Sequence, residues 1–359
     1  MIVTTANGVL DSENTELHDA SKNIFPEARN EEPRRGDDTR RDNNDPRQNN
    51  QPRRDKRDVH GWVVLDKPIG MTSTHAVAVV KRLFQAKRAG HAGTLDPLAS
   101  GGLPIALGEA TKTVPFVMDG RKRYRFTVRW GEERDTDDAE GRATETSAER
   151  PTAEAIRALI PRFSGLIEQV PPRFSAVKVD GERAYDLARD GEVVELAPRP
   201  IEIHHLELVE TPDPDHSVLA AECGKGTYVR ALARDMGRAL GCFGHVVALR
   251  RTAVGPFTEQ IATNLEALQR MTQPGPEADV VTAPAILPVE AGLAALPALR
   301  VSTADAGRLA RGQAVLLRGR DAPVMEGWVS VSAHGGLVAL AQVEKGELRP
   351  RRIFNLARS

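Results

Sequence analysis

Residues 123–130 alternate without interruption: Tyr124, Phe126, Val128 and Trp130 fall on one face, Arg123, Arg125, Thr127 and Arg129 on the other. A period of two is the signature of a strand with one buried face. A short apolar run over 61–65, closed by Asp66-Lys67-Pro68, predicts a second strand. Ala76, Val79, Val80 and Leu83 then recur at helical spacing behind Thr72 or Ser73 as an N-cap, so a helix is expected to about residue 86. Another helix is expected over 153–160, capped by Thr152 and closed by Pro161. Residues 217–223 read as a strand, 224–226 as a turn, and 227–240 as a helix stopped by Gly241. From about 259 to 296 Ala, Pro and Glu dominate, which reads as helix and linker. After Pro297 come a short helix over 304–309, Gly312, and β-rich segments around 315–317, 328–332 and 337–342, with Gly335-Gly336 as a hairpin turn.

Composition adds a boundary at the start of the chain. Residues 27–58 are almost entirely Arg, Asp, Glu, Asn, Gln and Pro, too polar to bury a core, so residues 1–58 are expected to form a disordered charged tail. The 359 residues are 40% hydrophobic and 28% charged, which fits two domains beyond that tail. A net charge of -1 gives no global attraction to phosphate, so any such attraction must be local. Candidate patches are Lys81-Arg82, Lys87-Arg88, Arg121-Lys122-Arg123 and Arg349 with Arg351-Arg352. Cys223 and Cys242 are too few for a disulfide framework and lack metal-site spacing, which points to a reducing compartment. No apolar run reaches membrane-spanning length, and the first ten residues have neither a basic start nor an apolar block. A cytoplasmic location is expected.

The stretch with the most constrained chemistry is residues 90–102. Gly90 and Gly93 precede a single carboxylate, Asp96, and Gly101 and Gly102 follow it. Pro97 biases the Asp96 backbone toward an extended conformation. Aspartate side chains are ordinarily anionic at neutral pH, and carboxylates that attack carbon are an established class of nucleophile. The Gly-Lys-Ser/Thr ending of a phosphate-binding loop is missing, and Leu98 stands where a phosphoaspartate enzyme usually carries a second Asp. The acidic run Asp135-Thr136-Asp137-Asp138-Ala139-Glu140-Gly141 lacks the spacing and terminal Glu of an EF-hand.

His91-Ala92-Gly93-Thr94-Leu95-Asp96-Pro97-Leu98-Ala99-Ser100-Gly101 resembles the signature of the bacterial TruB family, tRNA pseudouridine synthases that modify uridine 55 of the T-loop. The likeness continues in order: Lys67-Pro68 with Gly70 and Ser73, then Lys122-Arg123-Tyr124, then the run from Gln169 to Lys178 with Gly181, Tyr185, Ala188-Arg189 and Gly191. Lys225-Gly226-Thr227-Tyr228-Val229-Arg230 and His245-Val246 with Leu249-Arg250-Arg251 complete it. The portion from Asp180 to Tyr185 looks bacterial rather than like the guide-RNA-dependent relatives.

The resemblance implies an α+β pseudouridine synthase fold with a mixed central sheet over 59–296, and a small β-rich PUA-like RNA-binding domain over 297–359 with a basic edge at Arg349, Arg351 and Arg352. It implies Asp96 as nucleophile, Tyr124 stacked on the target uracil with a possible part in proton transfer, and Arg230 paired with Asp96, a pairing for which bidentate geometry is expected. It further implies substrate contacts from His91, Tyr228, Leu249, Lys67 and Asp138, with Lys67 beside the active-site loop. No cofactor or metal is implied, the partner is the tRNA T-arm, and a monomer without a protein partner is expected. Two other functions fit the same residues: a tRNA-binding or folding protein whose catalysis is secondary, and a guide-dependent relative.

Overall fold

A computed structural model describes residues 3–4, 56–175, 177–179, 181–184, 187, 196–272, 286–317 and 325–356. Most of the expected tail, with Asp180, Tyr185, Ala188, Arg189, Gly191 and residues 273–285 of the expected linker, lies outside the described residues. The chain divides into two compact units, Asp58–Leu296 with Phe354–Ser359, and Pro297–Ile353 with Met1–Arg57.

The larger unit is α+β, built on a ten-stranded mixed sheet. In chain order its principal strands are β1 (Gly61–Lys67), β2 (Ser100–Leu107), β3 (Lys122–Trp130), β4 (Gly165–Gln169), β5 (Arg199–Asp213), β6 (His216–Cys223), β7 (Gly244–Val254) and β8 (Thr263–Asn264). They lie in the order β8-β1-β2-β7-β3-β6-β5-β4, with Ala89–His91 pairing β2 and Phe257–Thr258 pairing β7. The β8–β1 and β2–β7 pairings are parallel and the rest antiparallel. β1 is apolar nearly throughout because it lies inside the sheet and is buried on both faces. β3 keeps its alternation: Lys122, Phe126, Val128 and Trp130 are buried while Arg123, Arg125 and Arg129 are exposed.

The helices that bear on the site and the core are α1 (Ser73–Leu83), α2 (Ala153–Leu159), α3 (Val229–Ala239) and α4 (Leu265–Thr272). Thr72 caps α1 by accepting from the His75 amide, and Thr152 caps α2 by accepting from Ala155. α1 ends three residues before the expected position, where Gln85 turns to φ 52°. Leu232 and Met236 of α3 join Val63, Leu65, Leu103, Ile105, Phe126 and Val246 in one buried core.

Three strands escape the hydrophobic pattern. β2 starts inside the glycine-rich stretch at Ser100. At Gly101 (φ +101°) a Cβ would lie 2.3 Å from the Arg251 carbonyl oxygen, so only glycine lets β2 approach β7 this closely. In β5 the register slips between Ile203 and His205, and that bulge doubles one step of the alternation. In β7, Arg250 and Arg251 stand side by side on opposite faces, Arg250 half-exposed and Arg251 1% exposed.

The second unit forms a six-stranded sheet from β9 (Ala298–Arg300), β10 (Val315–Leu316), β11 (Gly327–Ala333), β12 (Gly336–Glu344) and β13 (Glu347–Ile353), with Val3–Thr4 pairing β9 at one edge. Helix α5 (Thr303–Ala310) contributes Ala306 and Leu309 to its core. The β11–β12 hairpin turns through His334-Gly335, one residue earlier than Gly335-Gly336, and the β12–β13 hairpin through Lys345-Gly346; all four residues have positive φ, as two-residue type I′ turns require. The expected basic edge on β13 is largely neutralised, since Arg349 pairs with Glu347 and Arg351 with Glu344.

Candidate active site

Three elements hold the loop that carries Asp96. Ser73, in the first turn of α1, accepts from the Leu95 amide and donates to the Leu95 carbonyl, both at 2.9 Å. Lys67, at the end of β1, is completely buried and donates to the carbonyls of Pro68, Met71 and Pro97 at 2.9, 2.8 and 3.4 Å. The Gly70 amide donates to the same Pro97 oxygen at 2.7 Å. Arg251 of β7 donates to Gly93, Thr94 and Gly102 carbonyls. Every neighbour of Asp96 from Gly93 to Pro97 is therefore fixed from outside the loop. Burial lowers the Lys67 ammonium pKa to about 8, against the pull of the nearby Asp96 charge.

Asp96 itself is one-third exposed. Its Oδ2 accepts from Arg230 Nε at 2.9 Å, and among the described residues Oδ1 has no hydrogen bond. The pairing is single rather than bidentate because the other arms of the guanidinium are taken: Nη1 donates to the Thr136 carbonyl at 2.9 Å and Nη2 to that of Phe174 at 3.0 Å. Nη1 also lies 3.5 Å from Asp138 Oδ2. Arg230 ties the Asp96 loop to two other loops at once.

Arg230 belongs to a row. Arg234 and Arg238 follow at intervals of four along α3, so the three share one helix face. Arg234 donates to Asp137 Oδ2 at 3.0 Å and to the Val170 carbonyl at 2.8 Å; Arg238 holds both oxygens of Glu133, at 2.7 and 2.6 Å. The acidic loop is thus the counterpart of an arginine ridge. Asp138 accepts from Thr136 Oγ1 and the Glu140 amide, and Asp135 from the Arg142 amide. Burial outweighs Arg234 at Asp137 and raises its carboxyl to about 6. Among the described residues no three His, Cys, Asp or Glu side chains converge on a common metal position.

The aromatic candidates gather around the same carboxylate. Tyr124 on β3 lies opposite Arg251 on β7. Burial raises its phenol pKa, the Arg251 guanidinium opposes that shift, and the Asp96 charge adds to it. Tyr228 immediately precedes α3; its amide donates to Gln169 Oε1 at 2.9 Å and its carbonyl accepts from Gln169 Nε2 at 3.1 Å. Burial raises the Tyr228 hydroxyl as well, again with a contribution from Asp96. Leu249 lies opposite Phe126 and is 7% exposed in the core. His91 is half-buried, its pKa lowered first by burial and then by Arg251, and among the described residues its buried Nδ1 has no hydrogen-bond partner.

The structure thus brings Asp96, Arg230 and Asp138 into one charged cluster and sets Lys67, Tyr124 and Tyr228 within reach of the Asp96 charge. Four residues escape the functional reading of the sequence. Ser73 reads there as a cap and as part of a family motif without a role of its own, and Gln169, Arg234 and Arg251 as parts of longer runs. The spacing of Arg230, Arg234 and Arg238 opposite an acidic run is a complementarity visible in the sequence. Nothing in the sequence marks Arg251 as buried.

A family model described as TruB family pseudouridylate synthase (N terminal domain) matches residues 81–229, and one described as tRNA pseudouridylate synthase B C-terminal domain matches residues 230–294. The tRNA pseudouridine synthase B of Nitrobacter winogradskyi is 73% identical over 304 residues, 85% of each chain. That of Rhodopseudomonas palustris is 73% identical over 303 residues, 84% of this chain and 83% of its own. Among solved structures, an H/ACA RNP bound to a substrate RNA containing 2'-deoxyuridine superposes with a TM-score of 0.65 at 25% identity, over 82% of this chain and 85% of that one. The archaeal box H/ACA sRNP Nop10-Cbf5 complex gives 0.63 at 26%, over the same shares.

Proposed function

The chain belongs to the TruB family of pseudouridylate synthases, and from that premise we propose that Asp96 is the nucleophile with which it converts uridine 55 of the tRNA T-loop into pseudouridine. That it is a tRNA pseudouridine synthase, an RNA-binding isomerase, follows from relatives at 71–73% identity over most of its length. The observation that carries the assignment is the state of the Asp96 carboxylate: one oxygen held by Arg230, the other without a partner among the described residues, in a loop anchored on both sides of it.

A uridine inside a folded T-loop cannot be reached by a side chain, so the nucleotide is extruded into the pocket first. Tyr124 supplies the stacking face, an interaction that contributes about 1–3 kcal/mol per base. Tyr228 and Leu249 close the pocket around the uracil, and His91 contributes a contact to the RNA beside the loop. Asp96 then adds at the ribose C1′ or at the uracil C6, the N1–C1′ bond breaks, and the base turns within the pocket. C5 bonds to C1′, the bond between Asp96 and the nucleotide breaks to return the free carboxylate, the C5 proton leaves and N1 takes up a proton. The composition of the nucleotide is unchanged, so the proposed route calls for no cofactor or metal. Lys67 holds the loop from beneath, and Asp138 holds Arg230.

Pro297–Ile353 acts in this reading as a PUA-like RNA-binding module that grips phosphate outside the active site, the enzyme works as a monomer on free tRNA in the cytoplasm, and the first 58 residues take no part in the chemistry. The test is a T-arm hairpin transcript incubated with the purified chain alone, followed by mass spectrometry with a pseudouridine-selective tag. One tagged position, uridine 55, is expected; an untagged hairpin that becomes tagged only with a guide RNA and partner proteins contradicts the proposal.

A further inference from the structure

We propose that Arg251 is the positioning residue that fixes Asp96 relative to Tyr124. The inference rests on the nucleophilic role proposed above for Asp96. The loop has several anchors, but they differ in what they refer it to. Ser73 and Lys67 tie Leu95 and Pro97 to the β1–α1 region, and Arg230 ties the carboxylate itself to α3. Arg251 stands on β7, the one strand that pairs with both β2, where the loop ends, and β3, which carries Tyr124. It lies opposite Gly101 in the first pairing and opposite Tyr124 in the second.

Its contacts span the whole loop. Nη2 donates to Gly93 at 3.1 Å, Nη1 to Thr94 at 3.1 Å, and Nε to Gly102 at 2.9 Å, so the entry and exit of the loop close on one planar group. A guanidinium suits this because its donors form a rigid fork; a lysine offers a single flexible point. The register of β7 shifts between Arg251 and Ala253, and a bulge at that position re-aims the side chain it displaces. The absence of a glycine side chain at position 101 lets the two backbones meet.

The charge itself argues for a purpose. Arg251 is 1% exposed, and among the described residues it forms no ion pair with a carboxylate. A buried cation held by three carbonyls beside the Tyr124 phenol is an expensive way to fill space, since an apolar side chain of similar volume would do so without desolvating a charge. What the guanidinium supplies, and an apolar residue cannot, is three directed bonds to the segment bearing the nucleophile.

A displacement near 1 Å at the reacting group can cost roughly 10²-fold in rate. Arg251→Ala should therefore slow single-turnover pseudouridine formation by roughly that factor at saturating enzyme, while tRNA affinity changes less than about threefold. Arg251→Lys should recover part of the rate. Guanidinium chloride in the millimolar range, against matched sodium chloride, should accelerate Arg251→Ala and leave both the unsubstituted chain and Asp96→Asn unaffected. Hydrogen exchange should rise in the peptide covering 93–102 and stay unchanged across α3. Unaltered rates in both variants overturn the proposal. So does exchange that rises throughout the larger unit in Arg251→Lys as well as Arg251→Ala, which assigns the residue to the core alone. If Asp96→Asn itself turns over, the failure lies with the nucleophile assignment, and the Arg251 variants register it separately.

Discussion

At the scale of single residues, the contrast between Asp96 and Asp137 shows how environment divides identical side chains. Asp96 sits at a partly exposed site with one oxygen held by a guanidinium. Asp137 is 5% exposed and its carboxyl is raised to about 6. A raised carboxyl means that the folded state binds the proton more tightly than the unfolded chain, whose Asp ionises near 3.9. The contribution of Asp137 to stability is therefore full below pH 4 and is lost as pH climbs through 6. Urea unfolding at pH 5 and pH 7 should show this chain losing about 1 kcal/mol over that interval relative to Asp137→Asn; equal pH dependence in the two proteins would refute the assignment. Legibility at this scale follows the same division. Asp96 stands out in the sequence because glycines and a proline bracket it. Arg251 does not, because beside Arg250 it looks like half of a solvated pair, and only the pleat of β7 sends one inward and the other out to Asp66 and Glu259.

At the scale of elements, α3 is the piece that assembles the site. Its apolar side enters the core, and its polar side, which the sequence presents as an ordinary solvated face, is pressed against the acidic loop 133–138. Neither half announces burial alone. The strands were legible where alternation was clean, as in β3, and hidden where a bulge or a doubled arginine broke the period, as in β5 and β7. The arginine row gives a graded prediction. Arg234→Ala leaves Asp137 buried without its guanidinium and should cost about 3 kcal/mol or more. Arg238 is 53% exposed although its partner Glu133 is nearly as buried as Asp137, so Arg238→Ala should cost less than Arg234→Ala because water reaches the vacated guanidinium position. Similar losses in chemical denaturation would show that geometry, not burial, sets the strength of these pairs.

For the molecule as a whole, chemistry and grip are assigned to different units. The residues gathered around Asp96 all belong to Asp58–Leu296, and the two family models match residues 81–294, short of the second unit. Neutralisation of Arg349 and Arg351 by Glu344 and Glu347 leaves that unit less basic than its sequence suggests. Removing residues 297–359 should weaken tRNA binding and flatten its salt dependence, because phosphate contacts carry affinity without choosing the base. The rate at saturating enzyme should fall far less. A modest loss of thermal stability is expected too, since Asn355 donates to Glu109 and Phe354 is buried in the larger unit. Binding that is unchanged across a salt titration, with turnover abolished, would make the module a structural part of the catalytic machinery.

The account turns on the Asp96 carboxylate, and Asp96→Asn tests it most directly because the amide keeps the size of the side chain while removing the nucleophile. The measurement is single-turnover formation of pseudouridine in tRNA, beside the affinity of the same variant for the same tRNA. The predicted result is product below detection with affinity retained, since the proposed function draws its binding from phosphate contacts and stacking on Tyr124. Product formed at a rate near that of the unsubstituted chain would contradict the account.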